Sequence, residues 1–79
     1  MRSLNHVDEK ELAALAKKYR LAAGKSRAAT AREMKVKHPS IFHAEESPER
    51  GYHSLRCRMI EAYSPFTVAG PLYQLVPKG

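Results

Sequence analysis

Residues Ser26 to Glu45 read SRAATAREMKVKHPSIFHAE, and this stretch decides the fold. Ser26 is a good helix cap, and Ala28, Ala29 and Ala31 favour a helix running to about Met34 and allow another helix to approach closely. Val36 anchors a turn. A second helix starts at His38 or Pro39, since proline is tolerated where the first-turn N–H has no intrahelical partner. Ile41 and Ala44 then face inward at a three-residue step. Two short helices across so brief a break predict a helix-turn-helix, in which one helix braces and the next enters a DNA groove.

Charge points the same way. The chain has 14 Lys+Arg against 8 Asp+Glu, net +6, in 79 residues. The excess is local. Lys17, Lys18, Arg20, Lys25, Arg27, Arg32, Lys35 and Lys37 face one acid, Glu33, so residues 17–37 carry +7 and the remainder −1. A positive field on one region attracts a polyanion through counterion release. A solvated basic helix face is the plainer alternative.

Outward from this stretch, the chain divides into a flexible arm (1–7), a helical domain (8–64) and a β tail (65–79). Asp8 caps a first helix, with Glu11 at capping-box spacing and Val7 and Leu12 placed for a hydrophobic staple. Leu12, Leu15, Ala16, Tyr19 and Ala23 form its apolar face, and Gly24 stops it. Residues 46–51 form a loop. A further helix spans about Tyr52 to Tyr63, with Leu55, Met59, Ile60 and Ala62 or Tyr63 turned to the core. Pro65 ends the helices. Phe66-Thr67-Val68 and Leu72 to Val76 are strand formers around the turn signal Ala69-Gly70-Pro71, which predicts a hairpin or strand pair. A two-stranded ribbon is marginal alone, so its edge should pair with a second subunit, with Phe66, Val68, Leu72, Tyr73 and Leu75 at the interface. The alternative is a flap that only packs on the last helix. The fold class is therefore mainly α: four to five short helices with a C-terminal β-hairpin or strand pair.

At this point the residues resemble a known family. Residues 8–63 are similar to the lambda-repressor-like helix-turn-helix domain of the Cro and Xre regulators. The marks are Ala31, Val36, Ser40-Ile41 and Glu45. Thr30 and Lys35 depart from the family's usual leucine and turn glycine. Either Lys35 accepts a left-handed backbone, at about 1 kcal/mol, or the turn is built differently. The resemblance implies base reading by Lys37, His38, Ser40 and His43. It implies phosphate contacts from Lys25, Ser26, Arg27 and Lys35, and a second clamp from Arg50, Tyr52 and His53. It also implies a structural pair of Arg20 with Glu45. Phe42 is left open between a DNA edge, a partner subunit and the core.

These readings lead to one functional expectation: a sequence-specific regulator of double-stranded DNA, a repressor binding an inverted repeat as a homodimer and autoregulating its own operon. The alternative is an antitoxin that binds both operator DNA and a cognate toxin protein. A nonspecific or RNA binder would need stacking aromatics on the basic surface, and the chain has no Trp. Other chemistry has thin support. His38, His43, His53 and Cys57 match no strong zinc spacing, so no metal is expected. Cys57 with a nearby His is a weak basis for a nucleophile, and no phosphate loop or dinucleotide motif is present; the chain reads as not an enzyme and without a cofactor. One cysteine allows no internal disulfide, and no apolar run reaches membrane-spanning length, which predicts a cytoplasmic protein, bacterial or phage-encoded, with no membrane partner.

Overall fold

The computed structural model of the chain describes residues 8–69 and 74–78. Asp8 caps helix α1, Glu9–Ala22. Its carboxylate accepts from the Glu11 N–H at 2.8 Å, and the Glu11 carboxylate accepts from the Asp8 N–H at 3.1 Å. The capping box thus answers donors that a helix start leaves orphaned. The 1–7 arm and the Val7 side of the staple lie outside the described residues. Leu12, Ala13 and Ala16 are fully buried or nearly so, Leu15 and Tyr19 flank them, and Ala23 is exposed. The chain turns away at Gly24, whose φ of 72° suits glycine.

Helix α2 (Arg27–Met34) follows, then α3 (His38–Glu46) and α4 (His53–Tyr63). The Ser26 hydroxyl caps α2, accepting from the Ala29 N–H at 3.0 Å. At the other end Lys35 adopts φ 60°, ψ 46°. Its N–H donates to Arg32 O at 3.3 Å, and the Val36 N–H donates to Ala31 O at 3.0 Å. These are the paired bonds of a Schellman end, where glycine is usual. So the turn keeps its ordinary geometry, and lysine takes the left-handed position. Lys35→Gly should therefore stabilise the fold by about 1 kcal/mol, raising the thermal midpoint by roughly 4–8 °C. A lower midpoint in a thermal melt would mean that the lysine side chain contributes more than the strain costs.

The four helices enclose one core of Leu12, Ala16, Ala31, Met34, Ile41, Ala44, Leu55, Met59 and Ile60, closed by Leu75 from the tail. Thr30, where leucine was expected, is also fully buried. The Tyr63 hydroxyl lies 3.1 Å from Thr30 Oγ1 and also hydrogen-bonds the Glu33 carboxylate. A carboxylate only accepts, so Tyr63 gives its proton to Glu33 and the Thr30 hydroxyl donates to Tyr63. The buried hydroxyl is thereby satisfied, which is why threonine is tolerated there.

The tail forms an antiparallel pair, β1 (Phe66–Ala69) and β2 (Gln74–Pro77), with Val68 opposite Leu75. The turn at 70–71, Leu72 and Tyr73 lie outside the described residues. Within the chain the hairpin packs on α4 and the end of α1. The Phe66 ring stands 6.5 Å from the Tyr19 ring, and Leu75 is 8% exposed. Leu75 therefore belongs to this chain's own core and offers little surface to a second subunit, contrary to the interface role expected of it; alternation puts Val76, not Leu75, outside. Val68 and Phe66 are half-buried. Among the described residues, no helix is long and apolar enough to cross a membrane.

Candidate nucleic-acid interface

Helix α3 is fixed by two buried arginines. Arg20 on α1 meets Glu45 with two bonds, Nε to Oε2 at 2.5 Å and Nη2 to Oε1 at 3.1 Å, while its Nη1 donates to Lys25 O at 2.8 Å. The Glu45 side chain is fully buried, and Arg27 of α2 adds a third bond, Nε to Oε1 at 3.1 Å. One carboxylate thus joins α1, α2 and α3 by charge-assisted bonds in a site where an unpaired charge would be costly.

The second is Arg56 on α4, also fully buried and not anticipated from the sequence. Its Nε donates to Ala44 O at 2.8 Å, and Nη2 to Ser47 O at 2.8 Å and Arg50 O at 3.1 Å. Nη1 meets Glu9 Oε1 of α1 at 2.7 Å. The guanidinium fork gathers carbonyls that the end of α3 and the following loop leave without helical partners. The only signal in the sequence was position: Arg56 lies in the stripe Leu55, Met59, Ile60. Arg58 was missed as well. Its Nη2 donates to Met34 O at 2.5 Å, closing the end of α2.

With Ile41, Ala44 and Glu45 turned inward, α3 presents Pro39, Phe42 and Glu46 outward, with Lys37 and His38 exposed at its start. Lys37 is the N-cap and makes no side-chain cap bond, so the first turn has no side-chain acceptor. Ser40 and His43 are half-buried. A run of π-faces crosses the surface from α2 to α4. The Arg27 guanidinium sits 5.1 Å over the Phe42 ring, Phe42 meets His43 edge-on at 5.5 Å, and His43 stacks on Tyr52 at 5.8 Å. His43 Nδ1 is buried and has no hydrogen-bond partner among the described residues.

The expected phosphate set divides in two. Ser26, Lys35 and Arg50 are exposed, although the Ser26 hydroxyl already accepts the cap bond of α2. The others are engaged inside the chain. Lys25 pairs with Glu33 at 2.8 Å, and Arg27 pairs with both Glu45 and Glu46 at 3.1 Å. Tyr52 stacks on His43, and His53 Nδ1 lies 2.6 Å from Glu9 Oε2. Lys17 also pairs with Glu46, at 2.8 Å. The fold thus brings Glu45 and Glu46 onto the basic segment and lowers its net charge by two. Lys18, Arg32, Lys35 and Lys37 make no ion pair with any described residue; Lys18 sits over the Tyr19 ring on α1, and the other three lie at the end of α2, the turn and the start of α3.

The link between α2 and α4 responds to pH. The Lys25 hydrogen bond, seconded by Tyr63, holds the Glu33 carboxyl below the usual carboxylate range. Its bond to Glu33 raises Lys25, and burial, then Glu33, raises Tyr63. A depressed carboxyl contributes stability that is present above its unfolded value of about 4.3 and lost as pH falls through the lower folded value. The raised Lys25 and Tyr63 contribute stability that is lost as pH rises beyond about 10. Glu33→Gln should therefore flatten the acid limb of a thermal-midpoint-against-pH profile below about pH 4. An acid limb as steep as the parent's would assign it to other carboxylates.

Burial pushes the Cys57 thiol up to about 11, with help from the Glu61 and Glu9 charges. It is protonated at neutral pH, and its sulfur lies 3.6 Å from His53 Nε2. Among the described residues no group of three or more His, Cys, Asp or Glu could hold a metal ion. Comparison of the chain with protein-family models, curated proteins and solved structures finds no match in any of the three.

Proposed function

We propose that this chain is a sequence-specific regulator that binds double-stranded DNA as a homodimer and represses by occupying an inverted repeat, most simply that of its own operon. One observation carries the reading: α2 and α3 meet across a Schellman turn at Lys35, and the buried Arg20–Glu45 pair and Arg56 hold α3 with its outer face open. That outer face carries groove-sized groups, and the unpaired cations flank its start. Lys37, His38, Ser40 and His43 are the base readers in this proposal, and Arg32 joins Lys35 and Lys37 in attracting the backbone. Arg27 reaches a phosphate only by giving up Glu46, so it is a weaker phosphate ligand than its position suggests. No catalytic or cofactor role enters this reading.

The hairpin supports a dimer through β2. The Lys78 N–H donates to Pro65 O at 2.9 Å, so alternation makes Thr67–Val76 and Ala69–Gln74 the hydrogen-bonded pairs. The outward amides of β1 are already taken: Phe66 N–H by Ser64 Oγ and Val68 N–H by Glu61 Oε2, each at 3.2 Å. The outer edge of β2 instead offers Leu75 N–H and C=O beside exposed Val76. Two copies pairing there across a two-fold axis would present two recognition helices to the two halves of an inverted repeat, whose half-sites lie about 34 Å apart on DNA. The same open edge is what favours the second reading, an antitoxin whose tail takes a toxin strand. Co-purification with the neighbouring gene product, and rescue from its toxicity, would select that reading.

The test is competition of a selected duplex against random DNA at fixed salt. A preference of about a thousandfold or more is expected of a specific regulator, and equal affinities would defeat the proposal. Lys37→Ala and His43→Ala should each lose about 1–3 kcal/mol of that preference. Lys35→Gly should weaken binding to all sequences alike and reduce the salt slope by about one, even as it stabilises the fold.

A further inference from the structure

The outer face of α3 carries one large apolar side chain, Phe42, at 45% exposure. This removes the core from the roles open to it. The ring is held on two sides, under the Arg27 guanidinium and against the edge of His43. Arg27 is itself tied to Glu45 and Glu46, so the ring is anchored to the frame of the motif and has little freedom left to lose on binding.

Its surroundings indicate the kind of surface it meets. The other large exposed hydrophobics among the described residues, Leu21 and Val76, lie on α1 and β2. On this face of α3 Phe42 is therefore the one large exposed hydrophobic among the described residues. Its neighbours there are the small ring of Pro39 and the polar groups of Arg27, His43 and Glu46. A single ring in a polar setting matches a polar surface with isolated apolar points. The DNA major groove is such a surface: its base edges are donors and acceptors, and its one apolar group is the 5-methyl of thymine.

We propose that Phe42 is a specificity residue that reads a thymine 5-methyl group in each half-site. This rests on the double-stranded DNA reading above. Phe42 packs on the methyl, while its polar neighbours hold the ring in place. Position supports this: Phe42 lies one helical turn beyond His38, on the side of α3 that faces away from the core.

The experiment starts from random duplexes selected with the full chain, followed by replacement of each consensus thymine with deoxyuridine. Binding is read by fluorescence anisotropy. For the parent, uracil at one position in each half-site should weaken binding roughly fourfold for each methyl removed. Phe42→Ala should bind the thymine and uracil duplexes equally. Phe42→Leu keeps an apolar side chain and should retain part of the difference, and circular dichroism should show both variants folded because the side chain is exposed. A consensus with no uracil-sensitive position would overturn the Phe42 proposal and leave the regulator reading standing. So would uracil sensitivity that persists in Phe42→Ala, or a DNA-free dimer that dissociates in Phe42→Ala. Failure to select any consensus would overturn the regulator reading itself, and this proposal with it.

Discussion

Arg56→Ala is expected to bring the domain close to unfolding in water. The substitution removes the side-chain donor from Ala44 O, Ser47 O and Arg50 O, the last two keeping one backbone donor each, and leaves Glu9 without its buried partner. Removing one member of a buried charged network costs about 3–5 kcal/mol, against roughly 4–12 kcal/mol of total stability for a chain of this length. With a urea slope of about 1 kcal/mol per molar, the midpoint should fall by roughly 3–5 M. Arg56→Lys keeps the charge opposite Glu9 but loses the planar fork, so it should fall between the two. A urea melt followed by circular dichroism decides: a midpoint shift below about 1 M would mean that water replaces the guanidinium at those carbonyls. The α3–α4 loop would then need another anchor.

The second large effect belongs to Arg20 and Glu45. Glu45→Ala leaves Arg20, 6% exposed at its side chain, as an uncompensated buried cation, and should cost about 3–5 kcal/mol. Arg20→Met should cost less, because Glu45 keeps its bond from Arg27. The double variant Arg20→Met/Glu45→Leu should recover most of the loss, since apolar residues of similar volume often replace a buried pair without penalty. Denaturation of the four proteins gives the coupling energy, expected at the upper end of about 0.5–3 kcal/mol. Additive losses would mean that the pair acts independently despite its geometry. Under the proposed function, Glu45→Ala should lose DNA binding in proportion to unfolded protein, which separates this residue from proposed base readers such as Lys37.

Much of the helical plan was legible in the sequence because it rests on local chemistry. Asp8 with Glu11, Ser26 before the alanines and Pro39 in a first turn each act within a few residues. The apolar spacing located Leu12, Ile41, Leu55, Met59 and Ile60 for the same reason. Gly24 and Pro65 marked ends through their own backbone limits. The hairpin was legible from its strand formers, although the side that Leu75 takes was not.

The site was less legible. Lys25, Arg27 and His53 looked like phosphate ligands, yet Arg27 and His53 meet acids from distant parts of the chain and Lys25 meets Glu33 across the cap of α2. No local pattern encodes a pairing across that many residues. Arg56 and Arg58 were not singled out from the sequence, and both end on carbonyls of other segments. Phe42 could not be placed, because periodicity near the edge of a stripe does not say what covers it.

What the sequence by itself determined, to within a residue, is where each helix of Ser26 to Glu45 starts and stops, because caps, proline and alanine act on the backbone beside them. What only the tertiary structure decided is which of its charges remain available. Glu45 and Glu46 fold back onto Arg20, Arg27 and Lys17, leaving Arg32, Lys35 and Lys37 outside, and that outcome depends on Coulomb pairing through space between residues far apart in the chain. It also decided that Lys35 holds the left-handed turn, because the packing of α3 against α1 and α4 outweighs about 1 kcal/mol of local strain.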